Sequence, residues 1–395
     1  MTTNLNLALT PGHSLPQDRA DTALAGRVWR PELAGPSVVA IRPEGAFDIT
    51  ASFPTMRDLC EAERPAEALR RAKGEKIAGL AELLANTPPD RRDAAKPWLL
   101  APIDLQAIKA AGVTFAISML ERVIEERARG NPEGAAAIRG EIVRLVGEDF
   151  AKLKPGSPEA MRLKEMLVAQ GAWSQYLEVG IGPDAEIFTK SQPLSAVGTL
   201  VDAGIHPAST WNNPEPEVVL AVSSKGQIVA AALGNDVNLR DVEGRSALLL
   251  SKAKDNNASC AVGPFLRFFD ERFSLEDVRR MTVTLVVEGE DGFRLDGSSS
   301  LAKISRDPAD LVAQMVNAHH RFPDGAVLFL GTLFAPVEDR GAKGKGFTHK
   351  VGDIVTIAAP QLGRLVNRIR HTDKCEPWEF GMASLMRNLA GRELI

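Results

Sequence analysis

The sequence predicts an α+β protein whose core is rich in β-strands, and two observations favour this class. From about residue 171 onward, short apolar runs of about four to eight residues alternate with turns rich in Gly, Asn and Asp, as strands do. Residues 119–170 are instead rich in Ala, Glu and Arg, with the apolar spacing of amphipathic helices. We therefore expect an N-terminal α/β cap over residues 1–100 and a second domain over residues 101–395, with a helical lid inserted at 119–170.

Composition narrows the class of protein further. The chain has 395 residues, of which 44% are hydrophobic, and a net charge of −4 with both signs interspersed, which argues against a basic nucleic-acid tract. The N-terminus lacks the pattern of a signal peptide, and the longest apolar run is interrupted by Gly331. The three cysteines are widely spaced and form no CxxC pair. We expect a cytoplasmic protein with no nucleic-acid or membrane partner.

Individual elements can be placed from local signals. The clearest predicted strands are EVVLAV, QIVAAALG, TVTLVV, GAVLFLGT and DIVTIAA. One helix should begin at Ser274, and another after the N-cap Asp307 with Pro308 in its first turn. Nearer the N-terminus, we expect a short helix before Pro65 and a longer one after it. The segment APIDLQAIKAAG predicts the end of a strand and then a helix that stops at Gly112.

The segment WNNPEPEVVLAV places two carboxylates at the start of a predicted strand. Because side chains alternate between the two faces of a strand, Glu215 and Glu217 should point the same way. A solvated strand edge would also explain this pair. However, the next strand ends at Asp236, and a hairpin would bring this third carboxylate to the same face. Three carboxylates at one point suit a hard cation such as Mg²⁺.

Several motifs together resemble the fumarylacetoacetate hydrolase superfamily over about residues 101–375. In chain order they are NNPEPEVVLAV, ALGNDVNLRD, KAKDNNASCAVGPF, LFLGTLFAP, VGDIVTI and LGRLVN. The resemblance implies a β-rich core made of a rolled mixed sheet and a homodimer or dimer of dimers. It also implies that Glu215, Glu217 and Asp236 are ligands of Mg²⁺, with Mn²⁺ or Ca²⁺ as alternatives.

The resemblance also implies which residues bind the substrate. Arg240 occupies the Arg position of the family's NDVSARD-like segment and could clamp a carboxylate through two hydrogen bonds, although a salt bridge to a neighbouring acid would also explain it. Asn235 lies in the same segment. Thr332 matches a threonine whose hydroxyl could bind a substrate carboxylate. Where some family hydrolases carry Gln, this chain has Glu243.

Lys254 matches the family lysine ten residues before Pro264. A surface lysine is the alternative interpretation. Beside a divalent cation, like charge would lower the pKa of Lys254, so that it could act as a base or, while charged, polarise a keto oxygen. Asn257 replaces an aspartate of the family, and His206 is a modest candidate for a residue that supports the metal ligands.

One departure from the family pattern is informative. Hydrolases of the superfamily carry G-x-N-Y-x-x-H-x-x-E before the metal motif, where the His and Glu activate water. This chain reads GVTFAISMLE over residues 112–121, so Glu121 is kept and Ser118 stands at the His position. Serine alone is a poor general base at neutral pH, which makes a copy of the hydrolase mechanism unfavourable.

Enolate chemistry that leads to an elimination needs no activated water. The long form of the chain is most similar to the superfamily's 2-keto-3-deoxy sugar acid dehydratases, which implies conversion of 2-keto-3-deoxy-D-xylonate into 2,5-dioxopentanoate in oxidative pentose degradation. A 2-oxo acid that chelates Mg²⁺ has acidified C3 protons. Lys254, or a hydroxide on the cation, would take one of them, and Glu121 with Ser118 would help the C4 hydroxyl to leave.

Three other functions stay open at this point. The first is a C–C bond hydrolase of acylpyruvates or diketo-deoxy sugar acids, with water activated by Glu121 alone. The second is decarboxylation of oxaloacetate, and the third is a sugar-acid binding protein without catalysis. The helical segment 119–170 is equally well explained as a lid over the substrate or as a packing or dimer-contact element.

Overall fold

The strands of the structure, a computed structural model, lie in two mixed sheets and one short two-stranded pair. The structure describes residues 5, 7–18, 22–127, 153–169, 173–332, 336, 338–340 and 346–395, and leaves aside the side chains of residues 116–118, 120, 121 and 125. No helix in these ranges is long and apolar enough to cross a membrane.

The elements are as follows. The helices are α1 Pro11–Ser14, α2 Met56–Cys60, α3 Pro65–Arg71, α4 Leu80–Asn86, α5 Ala116–Arg127, α6 Pro158–Ala169, α7 Gln175–Ile181, α8 Arg240–Glu243, α9 Leu250–Lys254, α10 Leu275–Arg279, α11 Pro308–Met315 and α12 Met382–Gly391. The strands are β1 Leu24–Arg30, β2 Gly35–Arg42, β3 Gly45–Asp48, β4 Glu75–Ala78, β5 Trp98–Leu100, β6 Ala107–Gly112, β7 Glu186–Ser191, β8 Val201–Ile205, β9 Asn212–Asn213, β10 Pro216–Val222, β11 Ile228–Asp236, β12 Asn238–Leu239, β13 Cys260–Phe268, β14 Thr282–Glu288, β15 Arg294–Ser300, β16 Ala326–Phe329, β17 Ile354–Ala359 and β18 Gly363–His371.

The larger sheet joins the N-terminal strands to the later part of the chain. Within the described ranges it has 11 strands in the order β4-β3-β2-β1-β13-β11-β10-β16-β6-β7, with β5 beside β1. Its pairs are antiparallel except for the parallel pair of β16 and β6. Because β1 pairs with β13, residues 1–100 and the later strands share one sheet. The division of the chain at residue 100 therefore stays a prediction.

The smaller sheet packs against the larger one and completes the core. Its strand order is β15-β14-β17-β18-β8, with β18 and β8 parallel. Leu220 and Leu233 of the large sheet share one apolar cluster with Leu285 and Leu365 of the small sheet. Strands β10 and β11 of the large sheet are buried on both faces, which explains their continuous apolar runs. The predicted α+β class with a β-rich, mixed-sheet core is confirmed.

Local signals placed several elements correctly. The five predicted strands correspond to β10, β11, β14, β16 and β17. Helix α11 begins after Asp307, whose carboxylate accepts a hydrogen bond of 2.8 Å from the backbone amide of Ala309. Helix α10 begins after Ser274, whose amide donates to Asp277 at 2.8 Å. Of the predicted lid, α5 and α6 are described, whereas residues 128–152 and 170–172 lie outside the described part of the chain.

The prediction of a helix that ends at Gly112 is wrong, because Ala107–Gly112 forms strand β6. The Ala-rich segment has helical propensity. In the fold it lies between β16 and β7 and pairs with both, so neighbouring strands satisfy its backbone groups. Tertiary pairing here outweighs local preference.

The long helix predicted after Pro65 is also wrong in its extent. Helix α3 ends at Arg71, β4 follows, and α4 begins at Leu80. A Cβ atom on Gly74 would clash with the carbonyl oxygen of Asp48, so the backbone here approaches the end of β3 closely as it enters β4. The pairing of β4 with β3 then interrupts the helical run.

Candidate metal centre

Two antiparallel strands bring the three predicted ligands together. Asp236 ends β11 and donates its backbone amide to the carbonyl of Glu215 at 3.0 Å, just beyond the pair Pro216 and Asn235. Glu215 and Glu217 are two residues apart and lie on one face of the ladder. Ligand oxygens of Glu215, Glu217 and Asp236 all lie within 4.8 Å of one another, and all three residues are buried. The predicted hairpin and carboxylate triad are present.

Among the described residues, three cationic side chains contact this triad. Lys254 forms ion pairs with Glu215 and, at 3.1 Å, with Asp236. Lys190 is fully buried, and its Nζ lies 2.8 Å from Asp236 Oδ1. Arg122, on α5, pairs with Glu215 and, at 2.6 Å, with Glu243. Buried charges require such partners because burial removes their hydration.

The negative charge of Glu217 is compensated differently from the charges of Glu215 and Asp236. Its Oε2 accepts a hydrogen bond of 2.7 Å from the amide of Gly331, but none of the ion pairs in the described ranges involves it. Burial, together with the charges of Asp236 and Glu215, raises the pKa of Glu217 well above its ordinary value. A divalent cation would supply the missing positive charge, and three carboxylates are the hard oxygen donors that Mg²⁺ binds. The residues present therefore fit a divalent cation.

The neighbouring cations set the ionisation of the other groups. Burial raises the pKa of Asp236, but the charges of Lys190 and Lys254 outweigh it and bring the net shift below the ordinary value. For Lys254, burial lowers the pKa, yet Asp236, Glu215 and Glu243 raise it more. The direction is opposite to the lowering that we expect beside a divalent cation. Lys254 as it stands among these carboxylates is an ammonium group.

Two predicted substrate-binding residues follow each other closely in the chain, Asn235 in β11 and Arg240 at the start of α8. The Oδ1 atom of Asn235 accepts a hydrogen bond of 3.1 Å from the backbone amide of Glu215, so this oxygen positions the Glu215 backbone. The guanidinium of Arg240 lies 4.5 Å from the centre of the Trp211 ring, and its Nη1 donates to the carbonyl of Pro336 at 3.2 Å. Their contact with substrate stays a prediction.

The other predicted residues lie on two segments that border the triad. Thr332 is buried and follows Gly331, the residue that binds Glu217. Ser118 and Glu121 lie on α5, but their side chains fall outside the described part of the chain. Position 118 is one helical turn from Arg122, which reaches Glu215, so this helix borders the triad.

Two residues noted in the sequence have structural roles here. His206 accepts a hydrogen bond of 3.1 Å from the amide of Ala208 through Nδ1, and no described contact links it to a triad carboxylate. Asn257 donates to the backbone carbonyls of Thr372 and Glu376 at 3.0 and 3.2 Å, and so it anchors the C-terminal segment.

Glu186 is a site residue that sequence reasoning missed. It begins β7 opposite Gly112, and a Cβ atom on that glycine would clash with the Glu186 carboxylate. Burial and the charge of Glu243 raise the pKa of Glu186 to about 7, and Arg122 opposes them. Lys190, on the same strand, and Arg122 were missed as well. Assigning β6 as a strand would have placed β7, and with it Glu186 and Lys190, beside the site.

Known proteins resemble this chain in both sequence and fold. Residues 217–370 match the family model described as fumarylacetoacetate (FAA) hydrolase, C-terminal. Over 189 residues the chain is 29% identical to the 2-dehydro-3-deoxy-D-arabinonate dehydratase of Saccharolobus solfataricus, a match that covers 48% of this chain and 60% of that protein. Over 335 residues it is 24% identical to the "Probable 2-keto-3-deoxyxylonate dehydratase" of Haloferax volcanii, which covers 84% of this chain and 94% of that protein.

A solved structure shares the fold. It is described as 2-keto-3-deoxy-D-arabinonate dehydratase complexed with magnesium and 2,5-dioxopentanoate, and it superposes with a TM-score of 0.59 over 88% of this chain and 99% of that chain, at 20% identity. Similarity at this level concerns the fold. The matched residues 217–370 include Glu217, Asp236 and Lys254. Residues 217–370 are therefore similar in sequence to the C-terminal domain of the fumarylacetoacetate hydrolase family.

Proposed function

We propose that this protein is a divalent-cation-dependent dehydratase that converts 2-keto-3-deoxy-D-xylonate into 2,5-dioxopentanoate and water, as a step of oxidative pentose degradation. The observation that carries the proposal is the buried triad of Glu215, Glu217 and Asp236 in contact with Lys254. The names of the sequence relatives, both dehydratases of 2-keto-3-deoxy pentonic acids, support this reaction.

The triad would hold the cation, for which Mg²⁺ is our first choice. The neighbour structure that contains magnesium and 2,5-dioxopentanoate supports both the metal and the product. A divalent cation bound at the triad supplies a Lewis acid that polarises the 2-oxo group and acidifies the protons on C3. Mn²⁺ and Ca²⁺ are alternatives because they also prefer oxygen ligands.

The protein's own groups then move protons. Lys254, held as an ammonium by its carboxylate neighbours, can donate a hydrogen bond to the oxygen on which negative charge develops. Glu186, with a pKa near neutrality, is suited to accept the C3 proton. The sequence alone assigned that proton to Lys254 or to a hydroxide, and the raised pKa of Glu186 favours this carboxylate as the base instead.

Departure of the C4 hydroxyl needs an acid on the other side of the substrate. We assign this role to Glu121, assisted by Ser118, on the helix that also carries Arg122. After the hydroxyl leaves as water, a proton moves from C5 to C3, and the resulting enol transfers its hydroxyl proton to C4 to give the aldehyde 2,5-dioxopentanoate. Arg240, Asn235 and Thr332 are proposed to contact the sugar acid, and α5 with the rest of 119–170 is proposed as the lid that excludes water.

Hydrolysis is less well supported by the geometry. None of the described histidines hydrogen-bonds a triad carboxylate, and the buried His349 is instead bound to Asp353 at 3.1 Å. We further propose a cytoplasmic homodimer or dimer of dimers that acts on small molecules, without nucleic-acid or membrane partners.

Product analysis tests the proposed function. The protein would be incubated with Mg²⁺ and each C4 epimer of 2-keto-3-deoxypentonate, and then with an acylpyruvate. Trapping with semicarbazide and mass spectrometry should detect 2,5-dioxopentanoate from the D-xylonate-derived acid, and chelation with EDTA should abolish it. Release of pyruvate from the acylpyruvate, without any dehydration of the pentonates, would instead establish the C–C hydrolase.

A further inference from the structure

The ladder that carries the metal ligands continues beyond them. Asn213 of β9 pairs with Asn238 of β12, and this pair has the same register as Pro216 with Asn235. The hydrogen bond from the Asp236 amide to the Glu215 carbonyl connects the two stretches. The triad segment and the separate β9–β12 pair therefore share one register.

This register places the asparagines on the face of the triad. Asn213 is two residues before Glu215, and Asn238 is two residues after Asp236, so all four side chains start from the same side of the two strands. Two residues of strand correspond to about 7 Å. Beyond this pair Arg240 opens α8, and its guanidinium lies 4.5 Å from the centre of the Trp211 ring.

The asparagine amides have unused hydrogen-bonding groups. Asn238 is fully buried, and among the described residues neither its Oδ1 nor its Nδ2 has a hydrogen-bond partner. Asn213, 1% exposed, donates from Nδ2 to the carbonyl of Pro214 at 2.9 Å and leaves Oδ1 without a described partner. Buried polar groups are nearly always paired, so a pair left open beside a metal centre indicates a ligand.

The chemistry of these groups indicates which ligand. They are a neutral donor and two neutral acceptors, which suit a hydroxyl group because it both donates and accepts a hydrogen bond. A carboxylate would offer acceptors only and would face the Oδ1 atoms unfavourably. We propose that Asn213 and Asn238 form a subsite that binds the terminal hydroxyl of a sugar-derived acid whose carboxylate end lies at the triad. This inference rests on the proposed function for its substrate class.

Binding of two unreactive acids tests the subsite without any turnover. The 2-hydroxy acids 3-deoxy-D-pentonate and 2-hydroxypentanoate have the same carbon chain, lack the keto group needed for elimination, and differ only in the C4 and C5 hydroxyls. Calorimetric titration in Mg²⁺ should show that the wild-type protein binds 3-deoxy-D-pentonate about tenfold more tightly than 2-hydroxypentanoate. Because neither acid is turned over, this comparison of affinities remains valid even if the protein shows no dehydratase activity.

The variants Asn238→Leu and Asn213→Leu should reduce that preference to about twofold or less, while their affinity for 2-hydroxypentanoate stays within about twofold of the wild type. Asn238→Ser, which keeps a polar group too short to reach, should behave in the same way if the leucine variants fold poorly. Asn317→Leu, at the end of α11 and away from the ladder, is the matched control and should keep the preference. The subsite is overturned if the wild-type protein shows no preference for the hydroxylated acid, or if the preference survives in the folded variants.

Discussion

The ammonium group of Lys254 lies 3.1 Å from Asp236 Oδ2, so a buried cation contacts the carboxylate that completes the triad. Lys190 contacts the other oxygen of Asp236 at 2.8 Å, and Lys254 also pairs with Glu215. Positive side chains and a divalent cation would thus share the same carboxylates. This arrangement allows the contribution of Lys254 to chemistry to be separated from its effect on metal binding.

Lys254→Met should abolish turnover without weakening the metal site. The substitution keeps the length of the side chain but removes the hydrogen-bond donor, and we expect kcat to fall by at least about 10²-fold. Affinity for Mg²⁺ or Mn²⁺, measured by calorimetry, should stay the same or rise because a competing positive charge is gone. Lys252→Met, on the same short helix but exposed, is the control and should match the wild type. Equal losses of metal affinity and turnover would show that Lys254 only supports the triad.

Glu186→Gln should change the pH dependence of stability. The folded protein keeps a proton on Glu186 up to about pH 7, whereas the unfolded chain loses it near pH 4.5. The free energy of unfolding therefore falls as the pH rises through this window, and glutamine, which mimics the protonated acid, removes that fall. Denaturant unfolding should find the variant more stable than the wild type at about pH 8 and equal to it at about pH 4.5.

Glu186→Gln should lose activity if Glu186 accepts the C3 proton. The wild-type rate should change with pH near pH 7, whereas the residual rate of the variant should not. Glu290→Gln, at an exposed position, is the control for both measurements. An unchanged stability difference across the pH range would contradict the burial-raised pKa, and full activity in Glu186→Gln would remove its proposed role.

Gly331→Ala should displace the carboxylate of Glu217, because the Gly331 amide donates a hydrogen bond to it. Gly331 has φ +92°, and an added Cβ would clash with Thr114 Oγ1 and lie 2.9 Å from the carbonyl of Ala111. Because the Gly331 amide binds Glu217, we expect a loss of roughly 1–3 kcal/mol in the free energy of unfolding together with weaker Mg²⁺ binding.

Gly292→Ala is the matched control for this substitution. Gly292 has φ +80°, but nothing lies within 4 Å of a Cβ built there. Alanine at position 292 therefore has the backbone strain of a positive φ but no clash of its Cβ with neighbouring atoms. Similar stability losses in the two variants, with metal affinity unchanged in both, would mean that the packing around Gly331 does not position Glu217.

The sequence was sufficient to predict the triad because its signals are local. Alternation at the start of β10 predicted Glu215 and Glu217 on one face, and a short hairpin connected them to Asp236. The caps of α10 and α11 were predictable for the same reason, since Ser274 and Asp307 act within their own first turns.

The rest of the site depends on pairing between distant segments. Lys190 reaches Asp236, and Glu186 lies on the same strand, only because β7 pairs with β6, which itself runs parallel to β16. Alanine-rich β6 carries no strand signal of its own, so its helical propensity misled the prediction. The ion pair between Arg122 and Glu215 likewise spans 93 residues, a separation that no local pattern reveals.

The most direct test of the account is the Mg²⁺-dependent rate of 2,5-dioxopentanoate formation from 2-keto-3-deoxy-D-xylonate in the wild type and in Glu217→Gln. Glutamine keeps the size of the side chain but removes the charge that has no ion-pair partner among the described residues. The account predicts saturable dependence on Mg²⁺ in the wild type and a loss of at least about 10²-fold in rate, with weaker Mg²⁺ binding, in the variant. Formation of the product at the wild-type rate in Glu217→Gln, or in the presence of excess EDTA, would contradict it.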